Sequence, residues 1–290
     1  MDNELSIVMP AKNEEAGLAV LLPKLVARYP DADIVLVDDG STDATAQVGR
    51  DAGVRVLSSP YSMGNGAAIK RGAAAAYGRL IVFMDADAQH EPENIAALLA
   101  RLAEGFDMVV AARDGDGQAS RSRGLANGFY NWLSSWMTGH EIRDLTSGFR
   151  AVRADKFREF LHLLPNGFSY PTTITMAFFR SAYPVAYVPV HVKQRIGKSH
   201  IRPLRDGVRF LLIIFKIATL FSPVKLFAPI GLAFFMTGVG YYAYTFLTAH
   251  RFTNMSLLLF SASVIVFLIG LISEQICVLT YQRGANTRGS

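Results

Sequence analysis

The sequence predicts an α/β fold with a mostly parallel sheet, followed by interfacial helices and two transmembrane helices. Three observations carry this expectation. Residues 4–115 alternate short apolar runs with helical patterns, and such alternation builds a parallel sheet under helices. The composition is 51% hydrophobic and only 18% charged, so apolar residues beyond the needs of a soluble domain must be concentrated somewhere. They lie in two runs near the C-terminus, each long enough, at about 20 helical residues, to cross a bilayer core.

In chain order, ELSIVMPA reads as a strand and EAGLAVLLPKLVARY as a helix. DIVLVDDG is a strand, STDATAQVGRDA a helix and VRVLSS a strand. AAIKRGAAAAYG is a helix, RLIVFMDAD a strand, PENIAALLARLAEG a helix and DMVVAARD a strand. From Arg121 to Arg202 the pattern is irregular. GLANGFYNWLSSWM is amphipathic and DLTSGFRAV follows it, so helices and a strand or two are expected there. PLRDGVRFLLIIFKIATLFSPVK mixes basic and apolar residues, as helices in a membrane interface do. An extension of the first span is the competing reading, and Arg205, Arg209 and Lys216 oppose deep insertion. The expected organisation is a domain at 1–202, interfacial helices at 203–225, and a transmembrane hairpin with a short tail at 226–290.

The first span, about 226–248, is uncharged: LFAPIGLAFFMTGVGYYAYTFLT. The second, about 257–279, begins LLLFSASVIVFLIGLI and continues past Glu274. Two buried core helices are the alternative, but the tandem arrangement with a short polar loop favours a hairpin. Lys193, Arg195, Lys198, Arg202, Arg205, Arg209, Lys216 and Lys225 precede the first span, and Arg283 and Arg288 follow the second. The loop between them carries only His250 and Arg251. Both flanks are therefore expected in the cytoplasm. The formal net charge of +5 fits a chain whose basic excess meets anionic headgroups. No aromatic-basic platform or zinc spacing points to nucleic acid. MDNELSIVMPAKNEE lacks the character of a signal peptide. The single cysteine, Cys277, lies inside the second span and suits a cytosolic main domain. Glu274 inside a span is a functional candidate by default. Near the cytoplasmic end, a structural role, such as pairing with Arg283, is favoured.

Ligands of parallel sheets bind at the carboxyl ends of strands. That rule draws Asp38, Asp39, Asp85 and Asp87 towards one site. For Asp38 and Asp39 a helix cap around Ser41 or Thr42 is the competing reading. In Asp85-Ala86-Asp87, residues two apart on an extended segment point the same way, so both carboxylates could reach one divalent ion. Hard oxygens suit Mg2+ or Mn2+, with Gln89 or His90 completing the shell. Gly64, Gly66, Gly72 and Gly78 permit close backbone approach and a helix N-terminus facing a phosphate. Plain packing of an alanine face is the alternative, with Lys70 and Arg71 in solvent. The dinucleotide fingerprint is absent. Gly197-Lys198-Ser199 does not complete a P-loop, because the earlier glycine position holds Val192.

The ordered set Pro10-Ala11-Lys12-Asn13-Glu14, Val37 to Asp43, the Gly64/Gly66 helix, Asp85 to His90 and Ser147-Gly148-Phe149-Arg150 resembles family 2 of the inverting glycosyltransferases. It looks closest to the polyprenyl-phosphate glycosyltransferases, the group that includes dolichol-phosphate mannose synthase. The resemblance covers nearly the whole chain. It implies a GT-A, Rossmann-like fold and a nucleotide-sugar donor, UDP- or GDP-linked. It implies that Pro10, Asn13, Glu14, Asp38, Asp39, Gly64 and Lys70 serve the donor, and that Asp85, Asp87 and Gln89 hold Mg2+ or Mn2+. Arg113 matches a family position near the acceptor phosphate, and Arg121 or Arg123 and Ser199 could share that role. Arg195 and Lys198 match a basic loop over the donor phosphates; headgroup contact is their alternative. Arginine forks suit phosphate oxygens.

One departure narrows the acceptor. Many members use a carboxylate base after the metal motif, and here no Asp or Glu occurs from Phe160 to Arg205. A lipid phosphate is already ionised and needs no base. Asp144 and Asp87 remain candidate bases. The expected reaction is metal-dependent, inverting transfer to a polyprenyl phosphate at the cytoplasmic face, most simply of a bacterial inner membrane. Asp87, Arg113, Arg121, Asp144 and Arg195 are the expected catalytic set. A glycan or lipid hydroxyl acceptor, or a non-catalytic membrane scaffold that binds nucleotide sugars, are the other readings. Gly231, Gly238 and Gly240 could let hairpins pack into a homo-oligomer.

Overall fold

The computed structural model describes residues 4–113, 121–167, 169–191, 215, 219 and 221–286. The chain divides into two compact units, Met1–Ile201 and Arg202–Ser290.

The first unit is built on one seven-stranded sheet. Its strands are β1 (Leu5–Ala11), β2 (Asp33–Asp38), β3 (Arg55–Ser58), β4 (Leu80–Phe83), β5 (Met108–Arg113), β6 (Arg150–Arg153) and β7 (Val185–Val190). Their spatial order is β3-β2-β1-β4-β6-β5-β7. β1 pairs in parallel with β2 and β4, β2 with β3, and β5 with β7. β6 is antiparallel to both neighbours, with Phe83 opposite Arg150 on one side and Val110 opposite Arg150 on the other.

The helices of this unit are α1 (Glu15–Arg28), α2 (Thr45–Asp51), α3 (Asn65–Ala75), α4 (Asn94–Ala103), α5 (Arg121–Thr138), α6 (Ala154–Arg158) and α7 (Tyr170–Arg180). Every residue of β2 is buried, which is why DIVLVD reads as a continuous apolar run and not as an alternation. α1 buries Leu18, Leu21, Leu22 and Leu25, the three- and four-residue spacing of one helix face. α4 does the same with Ile95, Leu98 and Leu102. These side chains meet Ile7, Met9, Leu36, Val82 and Val109 in one core. Truncating a fully buried leucine such as Leu22 to alanine should cost about 2–5 kcal/mol.

The alternation expected over residues 4–115 is present element by element. α2 begins at Thr45, later than the Ser41 start of its predicted segment, because Asp43 Oδ1 accepts from the Thr45 amide at 3.0 Å and Ser41–Ala44 form the turn before it. The amphipathic stretch is α5, and RAVR supplies β6.

The second unit contains α8 (Pro223–Ala249) and α9 (Asn254–Asn286), joined by residues 250–253, the first of which, His250, adopts a left-handed conformation with φ 45°. Pro223–Ala249 and Asn254–Leu279 are long and apolar enough to cross a membrane. The helices are antiparallel and close-packed. Ser263 Oγ donates to Gly231 O at 2.8 Å, and a methyl on Gly270 would stand 2.9 Å from Phe227 Cβ. Gly231 and Gly238 thus face the second helix of the same chain, while Gly240 has open space around it. Of the interfacial segment expected at 203–225, Phe215, Thr219 and residues 221–225 are described, and Pro223–Lys225 already belong to α8, three residues before the expected start of the first span; the rest lies outside the described residues.

Candidate active site

The loops that leave β1, β2 and β4 come together at the carboxyl ends of those strands. The β1 loop turns at Asn13, which has φ 54°, a conformation asparagine tolerates better than most residues. Its side chain locks two loops together. Asn13 Oδ1 accepts from the Thr42 amide at 2.8 Å, and the Asn13 amide donates to Ser41 Oγ at 2.9 Å. Asp38 is spent locally: its Oδ1 accepts from the Ser41 amide at 2.9 Å. Asp39 organises the next loop, accepting from Ser62 Oγ at 2.7 Å, the Met63 amide at 2.6 Å and the Gly64 amide at 2.9 Å. A carboxylate holding several donors is fixed in place, and Asp39 also lines a cavity at these strand ends.

A cavity of about 510 Å3 opens here. Pro10, Glu14, Asp39, Gly64, Asp85, Asp87 and Gln89 line it, as do Lys12, Ser62, Asn65, Thr146, Gly148, Tyr170 and Pro171. A second cavity, about 460 Å3, lies at the opposite end of the sheet beside Glu4, Arg79, Arg153 and Arg158, and none of the expected site residues reaches it.

The acidic loop follows β4. Asp87 Oδ1 accepts from the Gln89 amide at 3.1 Å, and Ala88 sits at φ 57°. Gly17 makes room for this turn: a Cβ there would lie 2.6 Å from Ala86 O. Gly148 does the same beside Asp85, where a Cβ would stand 3.1 Å from Oδ2 and 3.3 Å from Tyr170 Oη. The donor set tests well for a hard divalent ion. The expected ligands Asp85, Asp87 and Gln89 line the same cavity, and among the described residues no group of three or more His, Cys, Asp or Glu stands close enough to hold an ion without help from substrate or water. That composition suits Mg2+ or Mn2+, which keep water and share a substrate's phosphate oxygens.

Beside the cavity, Arg113 at the end of β5 meets Asp144 in a two-point ion pair, Nε to Oδ2 at 2.7 Å and Nη2 to Oδ1 at 2.9 Å. Arg113 also donates to Thr146 Oγ1, which lines the cavity. Asp144 Oδ1 further accepts from the Thr146 and Ser147 amides, each at 3.1 Å. Burial pushes the Asp144 carboxyl up, but hydrogen bonds and charge from Arg113 outweigh it and hold the group below its ordinary value. The same hydrogen bond raises Arg113.

His90, a possible metal ligand by sequence, does not line the cavity. Its ring packs on Phe149 with centroids 4.6 Å apart, and its Nδ1 has no hydrogen-bond partner. Burial, helped by the Arg113 charge, pushes the imidazole down to about 4. Arg150 is fully buried beneath the site and donates to Pro171 O and Thr175 Oγ1, both at 3.1 Å, and to Ser147 O.

Lys70 is not on the cavity wall. Its Nζ reaches back to Leu164 O at 3.2 Å and to Asn166 Oδ1. Gly64 and Gly66 serve that same contact: a Cβ on Gly66 would lie 2.0 Å from Pro165 O. Asp38 likewise stays in its own turn, off the cavity wall. The side chains of Arg121 and Arg123, and residues Arg195, Lys198 and Ser199, lie outside the described residues. Sequence reasoning did not single out Thr146, Tyr170 or Pro171. The one local signal was Tyr170-Pro171, proline at the first turn of a helix.

Residues 6–161 match the model of glycosyl transferase family 2, more than half of the chain. The chain belongs to glycosyl transferase family 2. This family-2 glycosyltransferase also matches a GtrB C-terminal hairpin over residues 222–279, the segment that forms α8 and most of α9. It is 27% identical to a glycosyltransferase, AglJ, of Haloferax volcanii over 94% of this chain and 93% of that one. It is 33% identical to an undecaprenyl-phosphate 4-deoxy-4-formamido-L-arabinose transferase of Pseudomonas fluorescens, over 81% of this chain and 70% of the relative. Among solved structures it superposes on glucosyl-3-phosphoglycerate synthase from Mycobacterium tuberculosis, crystallised with Mn2+ and UDP-glucose. There the TM-score is 0.57 and the identity 25%, over 72% of this chain and 75% of that one. The family-2 domain thus has the Rossmann-like GT-A architecture, and it is followed by a membrane-anchoring hairpin.

Proposed function

We propose that this glycosyltransferase moves a sugar, with inversion, from a UDP- or GDP-sugar to a polyprenyl phosphate at the cytoplasmic face of the membrane, and that it needs Mg2+ or Mn2+. The observation that carries the reading is an adjacency. A cavity lined by Asp39, Asp85, Asp87 and Gln89 lies one residue, Thr146, away from the Arg113–Asp144 pair. A membrane hairpin on the same chain and a relative named for undecaprenyl phosphate support a lipid acceptor.

Pro10, Asn13, Glu14 and Asp39 take the nucleoside side of the donor. Asp39 acts by fixing the Ser62–Gly64 loop, and Asn13 by tying the β1 and β2 loops together. Asp85, Asp87 and Gln89 would hold the divalent ion. When bound, it neutralises charge developing on the departing diphosphate, a contribution of several kcal/mol. Arg113 holds an acceptor phosphate oxygen. Its Nε and Nη2 are taken by Asp144 and Thr146, and its Nη1 makes no hydrogen bond with the described residues. Asp144 is assigned to orient Arg113, since a paired carboxylate held below its ordinary value is a poor base. The acceptor phosphate supplies its own anionic oxygen, which attacks the anomeric carbon while the bond to the diphosphate breaks. Arg121, Arg123, Arg195, Lys198 and Ser199 are assigned to the two phosphate groups. Proximity and preorganised charge then account for most of the acceleration.

The test is transfer by the purified full chain with Mg2+ or Mn2+, a panel of UDP- and GDP-sugars, and either polyprenyl phosphate or the matching polyprenol. Product on the phosphate alone supports the reading. Product on the polyprenol would assign a hydroxyl acceptor. Metal-dependent nucleotide binding without product on either would point to another acceptor.

A further inference from the structure

Among the described residues, Arg150 is the largest side chain with no exposure to solvent. Arginine keeps its proton even when buried, so a full positive charge lies beneath the candidate site. Burying an ion is costly unless an opposite charge meets it. None does so at contact range. Arg150 makes no ion pair among the described residues, and its Nε has no hydrogen-bond partner. Its other nitrogens hold neutral oxygens: Pro171 O, Thr175 Oγ1 and Ser147 O.

The sheet fixes where this charge lies. Arg150 opens β6, opposite Phe83 of β4 and Val110 of β5. Phe83 is two residues before Asp85, and Val110 is three before Arg113. The groups that Arg150 holds form the back of the cavity wall. Ser147 lies between the lining residues Thr146 and Gly148, and Pro171 lines the cavity itself. The guanidinium also stands 5.9 Å from the ring of Tyr170, another lining residue. Tyr170, Tyr187, Asp144 and Asp85 are the ionisable groups that bear on it. Both tyrosines are neutral, because burial pushes their phenols up. Asp144 already meets Arg113 at two points. The field of Arg150 therefore falls on Asp85 and on any ion that Asp85 holds.

We propose that Arg150 is a positioning residue that acts on the divalent ion through Asp85: its buried charge weakens the hold of the acidic wall until a nucleotide diphosphate brings negative charge of its own. This rests on the reading that Asp85 and Asp87 hold Mg2+ or Mn2+. Like charges separated by protein repel more strongly than in water. Without nucleotide, that repulsion offsets part of the attraction of the carboxylates. With the diphosphate bound, phosphate oxygens share the ion and the offset matters less. Ion and nucleotide are then retained together and released together.

The probe is Mn2+ alone, titrated into the purified full chain in a neutral detergent and counted by the EPR signal of the free ion. The titration is run without nucleotide and again with UDP or GDP. Neither sugar nor acceptor is present, so no turnover enters the reading. Binding that Asp87→Asn abolishes belongs to the site. Arg150→Met and Arg150→Gln remove the charge, and Thr175 Oγ1 still donates to Pro171 O at 2.8 Å. Each should bind Mn2+ without nucleotide about fivefold or more tighter than the native chain. Arg150→Lys keeps the charge and should bind it as the native chain does. Unchanged or weaker binding in the two neutral variants would overturn the proposal and leave Arg150 a clamp on the cavity wall. Should neither fold, Arg150→Lys decides alone: native affinity supports the proposal, and any shift overturns it. A native chain that takes up no Mn2+ even with UDP or GDP would overturn the metal reading and the proposal together.

Discussion

Arg113 grips Asp144 at two points, and Asp144 uses its remaining capacity on the Thr146 and Ser147 amides. The pair is a positioning device. Asp144→Asn would set an amide NH2 against guanidinium N–H groups. Hydrogen bonds to charged groups contribute about 1.5–3 kcal/mol, so transfer should fall about tenfold to a hundredfold. Donor nucleotide affinity, read by calorimetry, should be unchanged. A loss of nucleotide binding equal to the loss of transfer would contradict the assignment.

The same pair has a pH signature. The Asp144 carboxyl is held below its ordinary value of 3.8. A depressed acid contributes stability that is full above the unfolded value and disappears as pH falls through the folded one. The difference in thermal midpoint between the native chain and Asp144→Asn should therefore be flat from neutral pH down to about 4, and shrink below it.

Asp85→Asn and Asp87→Asn remove negative charge from the cavity wall. Each should abolish the Mn2+ dependence of nucleotide binding. Transfer should drop about a thousandfold, the equivalent of several kcal/mol at the departing diphosphate. Titrating Mn2+ at fixed nucleotide checks this, and unchanged metal dependence in both variants would remove the metal site.

Gly148→Ala inserts a methyl 3.1 Å from Asp85 Oδ2. The carboxylate must move by a few tenths of an ångström, and metal sites are sensitive to such shifts. The variant should fold normally and require more Mn2+ for half-maximal activity. An unchanged requirement would show that Asp85 has slack.

In the hairpin, Gly270→Leu should loosen the α8–α9 contact, because Phe227 already stands 2.9 Å from where Cβ would sit. Gly240→Leu meets open space and should be neutral. Unfolding in detergent distinguishes them. Equal losses in both would point to a contact made by Gly240 with another chain.

The strand–helix alternation of the first half was legible because the buried strands are continuous apolar runs and α1 and α4 keep their leucines on one face. The hairpin was legible from length alone. The position of β6 was not. Arg150–Arg153 is a four-residue strand, and nothing in RAVR says that it wedges between β4 and β5, since spatial order depends on pairings distant in sequence. Asp85 and Asp87 line the cavity at the carboxyl end of β4, where their place after a strand predicts a ligand pocket. Lys70, expected to serve the donor, stands off the cavity wall, because its partners Leu164 and Asn166 lie 94 and 96 residues away and its own surroundings do not announce them. Asp38 and Asp39 are adjacent and chemically identical, yet one closes its own turn and the other faces the cavity. Backbone direction decides that, and sequence does not encode it locally.

β6 has a consequence of another kind. Among the described residues, the strands that lead to Asp39 and Asp85 (β2 and β4) are joined in the sheet to the strand that ends at Arg113 (β5) only through β6. The sheet thus has a seam. Inherited changes on one side can accumulate without re-registering the other. A lineage built on this framework can exchange what it recognises with one half while the other half passes unchanged to its descendants.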